Sequence, residues 1–155
     1  MQRRPYICPV LHTAHALATA GATVYLYEYA AVSEPFDAAS HGDQAFVVAH
    51  DAETLEGRPG LAAVAREKTS RWGMFMASPK GEVASWPRFT SPFVDPRGGE
   101  LLVFGKGNDE AAGEQDEGVA VQPRVLTDEE IAQCRFWWER MELSQGMGVS
   151  DPVGG

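Results

Sequence analysis

The sequence predicts an α/β domain whose sheet is incomplete, and three observations lead there. Pro9 to Ala20 reads as a short helix, with Pro near its start and Gly21 just past its end. It runs directly into Thr23–Tyr29, TVYLYEY, a β-branched and aromatic run with one charge, which reads as a well-buried strand. Third, two strands are expected for three helices, and the apolar surface of those helices exceeds what two strands can cover. Part of the sheet is therefore expected to lie outside this chain.

The remaining elements follow in order. Ala30 to Ser40 carries Ser33, Pro35 and Asp37 and reads as a loop, ending in His41-Gly42-Asp43. Phe46 to Ala49 is a short apolar run, and Asp51 to Gly60 reads as loop with Gly57, Pro59 and Gly60. Leu61 to Met76 places Leu61, Val64, Ala65, Trp72, Phe75 and Met76 at helical spacing, a stripe that reads as core packing. Ser78 to Gly99 is irregular chain anchored by Trp86 and Phe89. Glu100 to Phe104 reads as a second strand, and Gly105 to Gly118 as a solvated, mobile acidic loop. Thr127, with Glu130 three residues on, forms a capping box for a last helix whose apolar positions include Ile131, Cys134, Trp138 and Met141. Phe136 and Trp137 point away from that stripe, so one of them is expected to be largely exposed, awaiting a further neighbour.

Composition excludes several classes. The chain has 155 residues and a net charge of −9, which argues against nucleic acid and against an anionic membrane surface. No run of about 18 apolar residues exists to span a membrane. The N-terminus faintly imitates a signal peptide, but His12, Thr13 and His15 interrupt its apolar stretch and Pro5 and Pro9 flank its start. Cys8 and Cys134 are too few for a zinc site. Either two buried thiols or one long-range disulfide fits them.

Four histidines are candidates for chemistry. His12 and His15 lie i, i+3 on the first helix without a third metal ligand at usual spacing, so packing is the expected role. His50 beside Asp51 is expected to be structural. His41 differs: it sits in a loop a dozen residues after a strand, followed by Gly42, where α/β enzymes carry functional side chains. A serine hydrolase also needs a G-x-S-x-G elbow between strand and helix. The nearest string, Gly148-Val149-Ser150-Asp151-Pro152, has Pro in place of the second Gly and no preceding strand, so it is rejected.

Six strings, in order, carry a family likeness: Ile7-Cys8-Pro9, Val24-Tyr25-Leu26-Tyr27, His41-Gly42-Asp43-Gln44 before Phe46-Val47-Val48, Trp72-Gly73-Met74-Phe75, Trp86-Pro87-Arg88-Phe89-Thr90, and Cys134-Arg135-Phe136-Trp137. From about Tyr6 to Met141 the chain resembles the C-terminal portion of type-B carboxylesterases and cholinesterases, an α/β-hydrolase family. The resemblance implies that residues 1–143 are the closing part of such a domain, and the Gly-rich composition of 144–155 reads as a disordered tail. It implies that His41 is the catalytic histidine, supported by Gly42 and Gln44, and that Cys8 and Cys134 form a disulfide in a secreted protein. The substrate of the complete molecule would be a small carboxylic ester, with no cofactor or metal, and a protein partner would dock on the last helix at Phe136 and Trp137. Nucleophile, acid and oxyanion glycines would precede Met1, leaving this chain inactive alone. Two departures stand out: the family's usual Glu is Gln44 here, and F-V-F-G becomes Phe46-Val47-Val48-Ala49 with one residue fewer before it. The alternatives are a non-catalytic cholinesterase-like adhesion or interaction protein, or a degenerate remnant.

Overall fold

In the computed structural model, which describes residues 4–34 and 38–140, the chain forms eight elements. They are α1 (Arg4–Thr19), β1 (Tyr27–Tyr29), α2 (Asp43–Val48), α3 (Ala52–Leu55), α4 (Pro59–Ala77), β2 (Glu100–Lys106), β3 (Val119–Val125) and α5 (Asp128–Trp138). The sheet is mixed, in the order β1-β2-β3: β1 runs parallel to β2, and β3 antiparallel to it. The α/β class is thus met by a small three-stranded sheet with helices on both faces. No helix among the described residues is long and apolar enough to cross a membrane.

Residue alternation along β2 builds the two cores. Successive strand side chains point to opposite faces. Leu102 and Phe104 join Leu61, Val64 and Ala65 of α4, with Val47, Val83 and Trp86, in one cluster. Leu101 and Val103 join Leu11 and Ala14 of α1, Phe89, Leu126 and Cys134 of α5 in the other. The central residues of β2 are therefore buried on both sides, while its neighbours are half covered.

Several expectations are corrected. The first helix starts at Arg4, and Pro9 lies inside its second turn, where it withholds one amide from the hydrogen-bond ladder. The strand expected over 23–29 is regular only over Tyr27–Tyr29 and half-buried. Its leading residues share their carbonyls with irregular chain, although Leu26 O also accepts from Leu102 N of β2 at 3.2 Å. Val24 O accepts from Phe89 N at 2.8 Å, and Leu26 O accepts from Trp86 Nε1 at 3.2 Å. Trp86 and Phe89 are buried anchors, as expected.

The apolar run at Phe46 is helical, and the segment read as a loop over 51–60 holds α3, capped by the Asp51 side chain on Thr54 N, and the start of α4 at Pro59. The α4 stripe is core only at its first half; Phe75 and Met76 are exposed. A third strand, β3, was not expected, because Pro123 interrupts its pattern; Pro123 faces Leu102 and sits on the edge strand, where a missing N–H is tolerated.

The 105–118 segment is not a solvated loop throughout. Asn108 and Glu110 are buried, and the Glu110 carboxylate accepts from Gly60 N at 3.1 Å and Leu61 N at 2.7 Å, capping α4. Gly60 is required there: a Cβ would lie 2.5 Å from Glu117 O.

The capping box at Thr127 and Glu130 forms as expected. Glu130 and Glu28 of β1 both bind the Arg124 guanidinium of β3, tying α5 to the sheet. Phe136 and Trp137 are 48% and 57% exposed, as expected of side chains that point off the buried stripe. Met141, the 144–155 tail with its Gly148-Val149-Ser150-Asp151-Pro152 string, and Pro35 and Asp37 lie outside the described residues.

Cys8 and Cys134 stand at disulfide distance, with Cα atoms 4.9 Å apart, linking α1 to α5 across 126 residues. In the chain-entropy view a bridge this long restrains the unfolded chain by about 4–5 kcal/mol. Urea unfolding with and without reductant, and of the Cys8→Ala, Cys134→Ala double variant, should show a loss of about 2–5 kcal/mol. An unchanged midpoint would mean that α1 and α5 hold together without the bond.

Candidate functional site

His41 lies in the turn that closes the connection from β1 to α2, and its side chain is exposed. The turn needs Gly42, whose φ of 96° falls in the left-handed region that disfavours side chains. Asp43 then fixes the turn from inside. Its Oδ2 accepts from Ser40 N at 2.6 Å and from the Ser33 hydroxyl. Ser33 also bridges to Ala111 beyond β2, and Val32 N donates to Asn108 O at 2.7 Å. The turn carrying His41 is thereby tethered at the C-terminal end of the two parallel strands, where α/β folds carry ligands.

Gln44, in the first turn of α2, faces inward. Its Oε1 accepts from the Lys68 ammonium and from the Tyr27 hydroxyl at 3.4 Å. Lys68 is fully buried. Its Nζ lies 4.3 Å from the Tyr27 ring centroid, 5.3 Å from Trp72, 5.4 Å from Tyr29 and 5.8 Å from Phe104. Ring faces attract a cation, which offsets part of its lost hydration. Burial still pushes the Lys68 ammonium down to about 8, from an ordinary 10.5. The same burial pushes the Tyr29 phenol up to about 12, with the Asp43 carboxylate adding to the shift. Tyr27 is raised by burial too, against the Gln44 hydrogen bond, which lowers it.

Sequence reasoning passed over Lys68, although a signal was present. Leu61, Val64, Ala65, Lys68 and Trp72 share one helical face, so the lysine occupies a core position in the stripe. A charged residue in an apolar stripe marks either a snorkelling side chain or a caged one; here it is caged.

An apolar cleft of about 320 Å³ opens beside this cage, lined by Tyr25, Tyr27, Trp72, Phe75, Met76 and Trp86. It shares Tyr27 and Trp72 with the lysine cage, and His41 is not among its lining residues.

The other histidines serve packing. His12 and His15 both meet the Trp138 ring, with centroids 4.4 and 4.6 Å away. His15 Nδ1 is 2.7 Å from Ser91 Oγ, but Ser91 is buried and its oxygen also accepts from Phe93 N, so the hydroxyl is not presented to a substrate. His50 stands at a positive φ of 54° after α2 and meets Thr69 Oγ1 of α4 at 3.0 Å.

What fold and site define is an α/β chain with a tethered histidine turn and a caged lysine behind it. No family model, no curated protein and no solved structure matches the chain.

The caged lysine sets a pH dependence. Its folded proton affinity is lower than its unfolded one, so between pH 8 and 10.5 the unfolded chain binds more protons, and stability rises with pH across that window. The slope is at most roughly 1.4 kcal/mol per pH unit. Lys68→Met fills the same space without a charge, so its stability should gain on the wild type most at neutral pH and lose that advantage as pH rises above 8. Thermal unfolding at about pH 7 and about pH 9.5 checks this; a parallel pH dependence in both proteins would mean that Lys68 is hydrated.

Proposed function

We propose that the chain is the C-terminal portion of a serine carboxylesterase of the cholinesterase-like α/β-hydrolase type and supplies the triad histidine, His41. The observation that carries the reading is the joint placement of His41 and the cysteines. The histidine turn is tethered beyond the ends of the parallel strands by Asp43. Cys8 and Cys134, from the first and last of the six ordered strings, stand at disulfide distance. That pair also supports residence in an oxidising, secretory compartment.

The chemistry follows from proton bookkeeping. In the complete molecule a serine oxygen attacks the ester carbonyl while the His41 imidazole accepts its proton. The imidazolium then gives that proton to the departing alcohol. Gly42 permits the turn that carries the ring, and Gln44 anchors the first turn of α2 that follows it. The substrate is a small carboxylic ester, and no cofactor or metal takes part. Exposed Phe136 and Trp137, stacked edge to face with Arg140 over the Phe136 ring, support a protein partner on α5. A non-catalytic adhesion role is favoured by Gln44, which removes the negative charge the family usually carries behind the histidine. A G-E-S-A-G-like elbow in the upstream gene sequence would decide for the esterase, and its absence for the adhesion role.

Two outcomes are expected. The 155-residue chain should not hydrolyse an activated aryl ester and should take no label from a fluorophosphonate probe; stoichiometric serine labelling would overturn the reading. In the complete enzyme, His41→Ala should lower kcat by several orders of magnitude, as triad deletions do. Near-normal turnover of that variant would remove His41 from the mechanism.

A further inference from the structure

We propose that Lys68 is the positioning residue of the His41 turn: its ammonium, caged by rings from β1, β2 and α4, holds Gln44 and thereby couples the setting of the His41 imidazole to the charge of a lysine on another helix. The proposal deepens the reading of His41 as the functional base and rests on it only for the consequence to catalysis.

The geometry is specific. Gln44 is three residues from His41 and lies in the first turn of α2. Its carbonyl oxygen takes two donors, Lys68 from α4 and Tyr27 from β1. Asp43, one residue nearer His41, is held by Ser33 and Ser40. The turn therefore has two inner anchors, the Asp43 carboxylate with its two donors on the loop side and one that depends on a cation on the core side.

The surroundings leave that cation uncompensated. On β1 the groups facing Lys68 are the phenols of Tyr27 and Tyr29, and Glu28 is taken by Arg124. From β2 the facing group is the Phe104 ring. On α2, Asp43 is engaged by the two serines, and His50 at the far end meets Thr69. On α4, Glu67 and Arg71 pair with each other, and Trp72 offers a ring face. Burial is the sole cause that lowers the lysine's proton affinity, and it brings the ammonium to about 8. Near that pH the bond to Gln44 changes from charge-assisted to neutral and loses about half its strength. The attraction of four ring faces goes with it. The core-side anchor of the His41 turn thus weakens just above neutral pH.

Nuclear magnetic resonance on the isotope-labelled, full-length chain tests this without any ester turnover. The Lys68 Cε signal should titrate with a midpoint near 8 instead of 10.5. The His41 ring signals should show an inflection at the lysine's midpoint. Lys68→Met and Gln44→Leu should each abolish that inflection. Gln44→Glu should restore the coupling and carry both midpoints upward together, because a carboxylate holds the proton on the amine. Amide spectra report whether each variant folds. If Lys68→Met does not fold, the two Gln44 variants decide. A Lys68 midpoint at the ordinary value, His41 ring signals in the wild type with no inflection at the lysine's midpoint, or an inflection there that survives Gln44→Leu would overturn the proposal. Serine labelling of the chain would overturn the carboxylesterase reading while leaving these titrations as they are, so the two failures are distinguishable.

Discussion

The structure depends on burying one strand from both sides. Leu101, Leu102, Val103 and Phe104 are almost fully enclosed, and each successive residue belongs to the opposite core. A strand covered on both faces reads as continuous apolar sequence and forces helices onto both sides. That single requirement recruits α4 and α2 to one face and α1 and α5 to the other. It also explains why the disulfide lies where it does. The outer face of the sheet is covered by helices from the two ends of the described chain, 126 residues apart at the cysteines, and their pairing is the contact with the largest chain entropy to overcome.

Double-sided burial has a cost at the strand ends, where polar groups must be satisfied away from water. The chain meets it with side chains in place of regular structure. Glu110 caps the buried start of α4. Arg124 gathers the carboxylates of β1 and α5 on the other side. Asp43 gathers the amide and hydroxyl of the loop that carries His41. The histidine turn is therefore a product of the same constraint: the connection leaving β1 must be tied down, and Asp43 ties down the turn on which His41 stands.

Much of this was legible in the sequence, and what was not has identifiable physical causes. Long patterns with punctuation read correctly: α4 as a helix, though only the first half of its stripe is core, the Thr127–Glu130 capping box, and ELLVF as a strand. The aromatic anchors Trp86 and Phe89 were legible because large rings seldom serve irregular chain without being buried. Strand β3 was hidden by Pro123, since proline argues against a strand until its edge position is known. The 105–118 segment misled because acidic, Gly-rich composition reports average solvation, whereas Glu110 is buried by one specific task at a helix end 50 residues away. The position of His41 followed from its turn; the residues that brace it did not, because Lys68 and Ser33 are distant in sequence and meet only through the fold.

Gln44 and Lys68 acquire meaning as a pair. A glutamate at 44 would place a carboxylate against the buried ammonium, and the ion pair would hold the lysine charged over the whole neutral and mildly alkaline range. Glutamine gives the same reach and the same acceptor oxygen without the charge. It orients the lysine and favours its proton far less than a carboxylate would, so the cage is left with a cation supported by ring faces and one amide dipole. An apolar residue at 68 would be the more stable choice for such a core. A lysine retained there, opposite a neutral partner, costs stability at neutral pH and yields a group whose charge changes just above it. The turn bearing His41 stands on that group. A neutral glutamine at 44 therefore leaves the charge beneath the turn to Lys68, which titrates just above neutral pH.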